Sequence, residues 1–408
     1  MLGPTSGEYS VYRSILLVAC FAAGLFAAIA PGDSMAVRAI LDANGIVGVA
    51  VSDIVDTADG RVVSLFLSSR KIHTLPHDIG GLSSLRLLAL DHNELTSLPG
   101  EIDSLGELYN LSLSDNRLAT LPPQLDGLSS LVVLTLDHNR FTRFPEGALT
   151  LKNLQELNMT GNGIDALPAE IAKMSGLLIL HLDSNLIEEV PPEIGDLAGL
   201  QVLGLGHNQI SELPPAVGAL GSLAMADFSF NRLTALPREL YFCTALTDLT
   251  ISGNGITEIS AEVKSLRNLR FFIADSNDIV GLPAEITQCS ALQKLSLADN
   301  RLAELPADIG KCTKLAVLDA SINVLTGLPA SITGLPALGA LFLGHNRLDS
   351  LPPRIENLTG LYLETGSVRF ATLDLSDNRL CGLTGTARAW ADRFDPGWES
   401  KQDCTGAH

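Results

Sequence analysis

The chain has 408 residues, of which 46% are hydrophobic but only 5% aromatic, with leucine dominating the apolar share. That is ample material for a large core. Lysine and arginine number 27 against 46 aspartates and glutamates, and a field of −19 repels phosphate backbones and anionic head groups, which argues against nucleic acid as a partner.

The amino-terminal stretch differs from the rest. Arg13 precedes an apolar run from Ile15 to Ala30 that ends in the small-x-small triplet Ala28-Ile29-Ala30, so 1–30 reads as a secretory signal peptide. The run is short of the ~20 residues that span a bilayer. An uncleaved anchor is one alternative, and a lipid on Cys20 of the lipobox-like Leu17-Val18-Ala19-Cys20 is another. Any membrane association runs through this segment. Removing it leaves five cysteines, an odd number that needs an explanation in a secreted chain.

Residues 31–61 are expected to cap the amino end. Ser34 is expected to N-cap a helix containing Ala36, Val37, Ile40 and Leu41 that Gly45 ends, and Ala58-Asp59-Gly60 turns the chain into a strand at Arg61.

From 62 to 380 the chain repeats. Asn93, Asn116, Asn139, Asn162, Asn185, Asn208, Asn231, Asn254, Asn277, Asn300, Asn323 and Asn346 fall on every twenty-third position without a slip. Each closes a block such as Leu131 to Asn139, in which Leu134 and Leu136 flank an outward Thr135 with the period of a strand. Stacking these blocks about 4.8 Å apart makes a parallel sheet with one face in the core. The Asn amide then satisfies backbone groups of the following turn, as a buried but paired ladder. Next comes Leu-Pro-x-Glu-Ile, as at Leu167 to Ile171, where proline opens a short helical or 3-10 turn on the far side and the acidic residue suits its N-terminal dipole. Two degenerate repeats bring the total to about 14. The first has Arg70 in the Asn slot; the last has Asn378, later than the regular spacing after Asn346 would place it, which implies a nine-residue insertion near 362–370. Atypical end repeats close a solenoid core.

Residues 381–408 form the carboxyl cap, with a helix near Ala387 to Phe394 and with Cys381 and Cys404 bracketing Trp390 and Trp398. A disulfide between these cysteines would close a loop worth about 3 kcal/mol. Cys243, Cys289 and Cys312 share one repeat position with Leu82, Leu105 and Leu128, and read as small core hydrophobes. A bridge between Cys289 and Cys312, in adjacent repeats, is the alternative.

The stretch from about Arg61 to Leu383 resembles leucine-rich-repeat proteins of the Leu-Pro-x-x-Ile-Gly-x-Leu type, as in Leu305-Pro306-Ala307-Asp308-Ile309-Gly310. That type occurs in bacterial proteins, plant receptor ectodomains and intracellular Ras-linked scaffolds. The ending, Leu380-Cys381 with Asp395-Pro396-Gly397-Trp398, resembles secreted bacterial members. The resemblance implies an α/β solenoid, a right-handed superhelix with a concave parallel sheet, and leaves the partner open.

No catalytic constellation or nucleotide loop is present in the sequence, so the expectation is a protein that is not an enzyme and takes no cofactor. His92, His138, His207 and His345 precede ladder asparagines and read as solvated turn residues rather than metal ligands. Calcium on Asp91, Asp115 and Asp137 is a weaker alternative. Asn110, Asn158 and Asn357 begin glycosylation triplets that read as incidental, two of them falling on the concave strands.

Projected on the sheet, the outward positions hold twelve acidic residues (Asp91, Asp115, Asp137, Glu156, Asp183, Asp227, Asp248, Asp275, Asp299, Asp319, Asp374 and Asp377) and one lysine, Lys294. A basic or mixed-charge protein or peptide is the ligand such a face suits. Met225, Phe230, Phe271, Ile273, Val317, Ile322 and Phe342, with Asp227 and Asp319, are the candidate contacts. Met225, Phe271 and Val317 share a slot with Leu87, Val133 and Ile179, for which packing along the sheet is an equal reading; Ile273 and Phe342 stand at mid-strand. The expected function is an exported binding module, secreted, periplasmic or on the cell surface. A cell-surface spacer without a specific ligand and an intracellular signalling scaffold are the alternatives.

Overall fold

The computed structural model describes residues 28–365 and 368–404. The signal-peptide reading, apart from its last three residues, and the lipid reading of Cys20 fall outside the described residues.

The first helix, α1 (Pro31–Ala43), begins four residues earlier than an N-cap at Ser34 would place it. Pro31 takes the first helical position, where its missing N–H costs nothing and its φ is already helical. Ser34 is therefore not a cap; its N–H bonds to Ala30 O inside the first turn. Asp33 does the anchoring: it is 3% exposed, pairs with Arg61 at 3.0 Å and accepts the Val62 N–H at 2.8 Å. Gly45, at φ 65°, turns the chain out of the helix. A strand unmarked by any pattern follows, β1 (Val55–Ala58), antiparallel to β2 (Arg61–Phe66). Asp59 and Gly60, both at positive φ, form the tight turn between them.

From β2 onward each coil adds a short parallel strand, giving a 15-stranded sheet in strict chain order. In a strand such as Ile179–His181 the middle residue is buried and its neighbours face the concave side. The buried leucines form one continuous core. On the opposite side most coils carry a single 3-10 turn, usually after a proline, although none follows Pro122-Pro123; Ala169–Lys173 after Pro168 is one such turn. Its i→i+3 bonds bring the next apolar residue, Met174 here, back into the core within five residues. Cys243, Cys289 and Cys312 are buried free thiols at this inward point. Cys243 donates to Val217 O and Cys289 to Val263 O, each at 3.2 Å.

The ladder has one geometry throughout. Asn208 accepts the Ile187 N–H through Oδ1 at 3.0 Å and donates through Nδ2 to Leu182 O and Leu205 O, both at 3.0 Å. The bond to the preceding coil spans 21 residues from Asn93 to Asn346 and 30 at Asn378, whose Oδ1 accepts from Leu348. The nine extra residues fall where two short antiparallel strands, Tyr362–Thr365 and Val368–Ala371, pair outside the main sheet.

The carboxyl end imitates a further coil. Gln402 Oε1 accepts the Leu380 N–H at 3.1 Å and its Nε2 donates to Leu375 O at 3.0 Å, the two bonds a next ladder asparagine would make. Lys401 O accepts the Asp377 N–H and Asp395 accepts that of Leu375. The final strand thus leaves little open edge. Helix α2 (Gly385–Phe394) covers the core with Trp390, whose Nε1 donates to Leu358 O at 2.8 Å. The Cys381–Cys404 disulfide, with Cα atoms 5.8 Å apart, holds the tail against the last coil.

Candidate functional site

Four slots per coil face the concave side: the sixth, fourth and second residues before the ladder asparagine, and the one immediately before it. Strand register aligns each slot from coil to coil. Met225, Asp248, Phe271, Lys294 and Val317 lie side by side in the first row, and Asp227, Thr250, Ile273, Ser296, Asp319 and Phe342 in the second. Met225, Phe271, Ile273, Val317 and Phe342 are each half-buried on this face, while their strand centres Ala226, Phe272, Leu318 and Leu341 are buried in the core.

Phe230 and Ile322 occupy the slot immediately before the ladder asparagine. They stand in the turn just past the strand, at φ 50° and 53°, and are 51% and 48% exposed. The same left-handed slot holds His92, Asp115, His138, Ser184, His207 and Asp299 in other coils, residue types suited to αL. An isoleucine there costs roughly 1–2 kcal/mol. Phe230 offsets some of that by stacking on His207, with centroids 4.3 Å apart and planes at 13°. Its ring lies over Gly253, where a β-carbon would come within 2.5 Å of it.

The acidity of the face has a structural share that slot counting missed. The N–H two residues before the ladder asparagine faces away from the next strand and finds no carbonyl. At Asp275 the Ser252 hydroxyl supplies the acceptor instead, and in seven coils an aspartate does so, by one of two routes. From the second slot before the asparagine it reaches into the next coil: Asp91 to Ser114, Asp137 to Thr160, Asp183 to Gly206 and Asp275 to Ala298. From the fourth slot it serves its own coil: Asp227 to Ser229, Asp319 to Ser321 and Asp374 to Ser376. Burial raises the carboxyls of Asp137, Asp227 and Asp275 above the ordinary 3.8 despite these bonds.

His181 is the most enclosed histidine of the face. Its Nδ1 lies 3.4 Å from Asp183 Oδ2, and both side chains are under a quarter exposed. Burial opposes its protonation, but the bond to Asp183 and the charges of Asp183, Asp137 and Glu156 outweigh it and raise its pKa above 6.5. The pair occupies the space above Gly204, where a β-carbon would sit 2.2 Å from Asp183 Oδ2. His92 and His345 form exposed pairs with Asp115 and Asp377 of the following coil, at 3.2 and 3.3 Å. Among the described residues no cluster of three or more histidine, cysteine or acidic side chains is arranged to hold a metal ion.

A strand in every coil and a 3-10 turn in most, stacked in chain order with an asparagine ladder between them, define an α/β repeat solenoid with one long open sheet. A leucine-rich-repeat region model matches residues 60–162, and a leucine-rich-repeat model matches 152–210 and 290–348. A leucine-rich-repeat protein of Leptospira interrogans is 32% identical, with 82% of this chain and 81% of that one covered and a TM-score of 0.72. The chain belongs to the leucine-rich-repeat family. The ectodomain of the Arabidopsis thaliana receptor kinase GASSHO1/SCHENGEN3 is 28% identical over 78% of this chain and 42% of its own length, with a TM-score of 0.59. None of the curated proteins matches the sequence significantly.

Proposed function

We propose that the chain is an exported, non-enzymatic module that binds a protein or peptide on its concave sheet. The observation that carries this reading is the placement of large apolar side chains on the solvent side of a sheet whose other face already holds the core. Ile273 and Phe342 face outward at the last position of their strands rather than in mid-strand, and Phe230 and Ile322 are about half exposed at the sheet margin. Rigidly held apolar side chains of this kind supply most of the energy of an interface. The related Arabidopsis ectodomain was solved in complex with Casparian strip integrity factor 2, which supports binding as the use of this fold. Export is supported by the Cys381–Cys404 disulfide, a bond characteristic of oxidising compartments.

The test compares the immobilised chain with an Ile273→Asp/Phe342→Asp variant in affinity capture from the native organism. Loss of a captured protein with an unchanged melting temperature is expected. Equal capture by both would rule out the concave face.

A further inference from the structure

We propose that the concave face receives an extended peptide lying across the strands. A basic side chain is seated between Asp227 and Asp248, and apolar side chains two and six residues further along contact Ile273 and Phe342. This rests on the concave-face reading above and adds the chemistry of the partner.

Charge sets the basic position. Among the described residues no ion pair joins a lysine or arginine to the outward acids of the concave face, Asp183, Asp227 and Asp248 included, whereas Asp33, Glu94, Asp278 and Asp308 elsewhere each have one. Asp227 and Asp248 stand apart from the other outward acids in lying within adjacent strands immediately on the amino-terminal side of that of Ile273. Lys294, the one lysine among the outward strand residues, is two strands from Asp248 with Phe271 between them. Asp227 is partly desolvated and sits in the field of Asp183, so an incoming cation relieves both effects. Asp248 lies in register between Met225 and Phe271, a carboxylate flanked by apolar side chains that suits the stem of an arginine or lysine.

Spacing sets the apolar positions. Strands stack about 4.8 Å apart, and an extended peptide advances about 3.3–3.4 Å per residue. From midway between the strands of Asp227 and Asp248 to the strand of Ile273 is one and a half strand spacings, about 7 Å, or two residues. From Ile273 to Phe342 is three spacings, about 14 Å, or four residues. Both steps are even, so all three peptide side chains point at the sheet. The two rows of outward side chains belong to residues two apart along each strand, about 7 Å, which matches an extended chain and is narrow for a helix of about 10–12 Å.

A phage-displayed random dodecamer library is selected on the full chain and counter-selected on the Ile273→Asp/Phe342→Asp variant. Enriched peptides are expected to carry arginine or lysine with apolar residues two and six positions away, in either chain direction. A synthetic peptide of that consensus should bind the Asp227→Asn/Asp248→Asn variant roughly tenfold or more weakly, and wild type more weakly as salt rises. Peptides that depend on Ile273 and Phe342 but lack this spacing, or that become helical on binding, overturn the inference and leave the concave-face reading standing. A selection yielding no peptide that distinguishes the two proteins overturns both.

Discussion

Replacing Asn208 with alanine tests what the ladder contributes. Asn208 makes bonds to Ile187, Leu182, Leu205 and Gly206. Simple addition of those bonds overstates the loss, because the carbonyls are shared. Leu182 O also accepts from Asn185, and Leu205 O also accepts from Asn231. Only the buried Ile187 N–H loses its sole acceptor, so the expected destabilisation is about 1–3 kcal/mol for that group, plus a few tenths for the lost side-chain volume. Because each coil touches only its neighbours, the break falls between the two halves of the solenoid. Urea unfolding followed by circular dichroism should show the lower midpoint together with a broadened transition. Hydrogen exchange should show the Ile187 amide losing protection first. A loss below about 0.5 kcal/mol, the range of an indifferent surface change, would refute the assignment of the ladder as obligatory hydrogen bonding. Asn208→Asp sharpens the test. It keeps the acceptor for Ile187 but faces carbonyl oxygens with a second oxygen, so its folded pKa should be raised. The variant should therefore lose stability as pH rises through that value.

Other consequences follow from the same bonds. Gln402→Ala should free the Leu380 N–H and fray the last coil, with exchange protection lost at Leu380 and retained in the central coils; reducing the Cys381–Cys404 bond should reproduce the pattern and lower stability by about 3 kcal/mol. Gly204→Ala places a β-carbon against Asp183 and His181 and should cost about 1–3 kcal/mol by freeing the Gly206 N–H, whereas Gly100→Ala, with nothing within 4 Å, should be neutral or slightly stabilising in a thermal melt. The carboxyls of Asp137, Asp227 and Asp275 are raised by burial, so the folded state holds more protons just above 3.8 and stability should fall as pH rises through that window. His181 is raised as well, its contribution being full below 6.5 and lost as pH rises through its folded value. Melting temperatures should therefore rise as pH is lowered from about 8 toward 5. His181→Asn should flatten the upper part of that curve and Asp227→Asn the lower; a wild-type curve of opposite slope would contradict both assignments.

What the sequence made legible divides along a physical line. The solenoid and its asparagine ladder were readable because every coil meets the same neighbour in the same way, so one constraint is written again in each repeat. Features made once left no such trace. The helix start at Pro31, the strand Val55–Ala58 and the ladder mimic Gln402 each belong to an end, where the neighbour is unique. The concave carboxylates fall between these cases. Their count was legible but their division was not, because an aspartate in either of two slots meets the same unsatisfied N–H, and a row of slots shows neither route. The left-handed slot was open to inference, since histidine, aspartate, serine and glycine recur before the ladder asparagine; against that background Phe230 and Ile322 stand out as residues the turn itself does not favour. The division also bears on binding. Carboxylates tied to a backbone N–H hold fixed positions, so Asp227 presents its charge without the ordering entropy a free side chain would lose on meeting a cation. On the proposed reading, a structural hydrogen bond and a preorganised binding charge would be two uses of one side chain. Asp227→Asn, which keeps an acceptor for Ser229 but removes the charge, separates them.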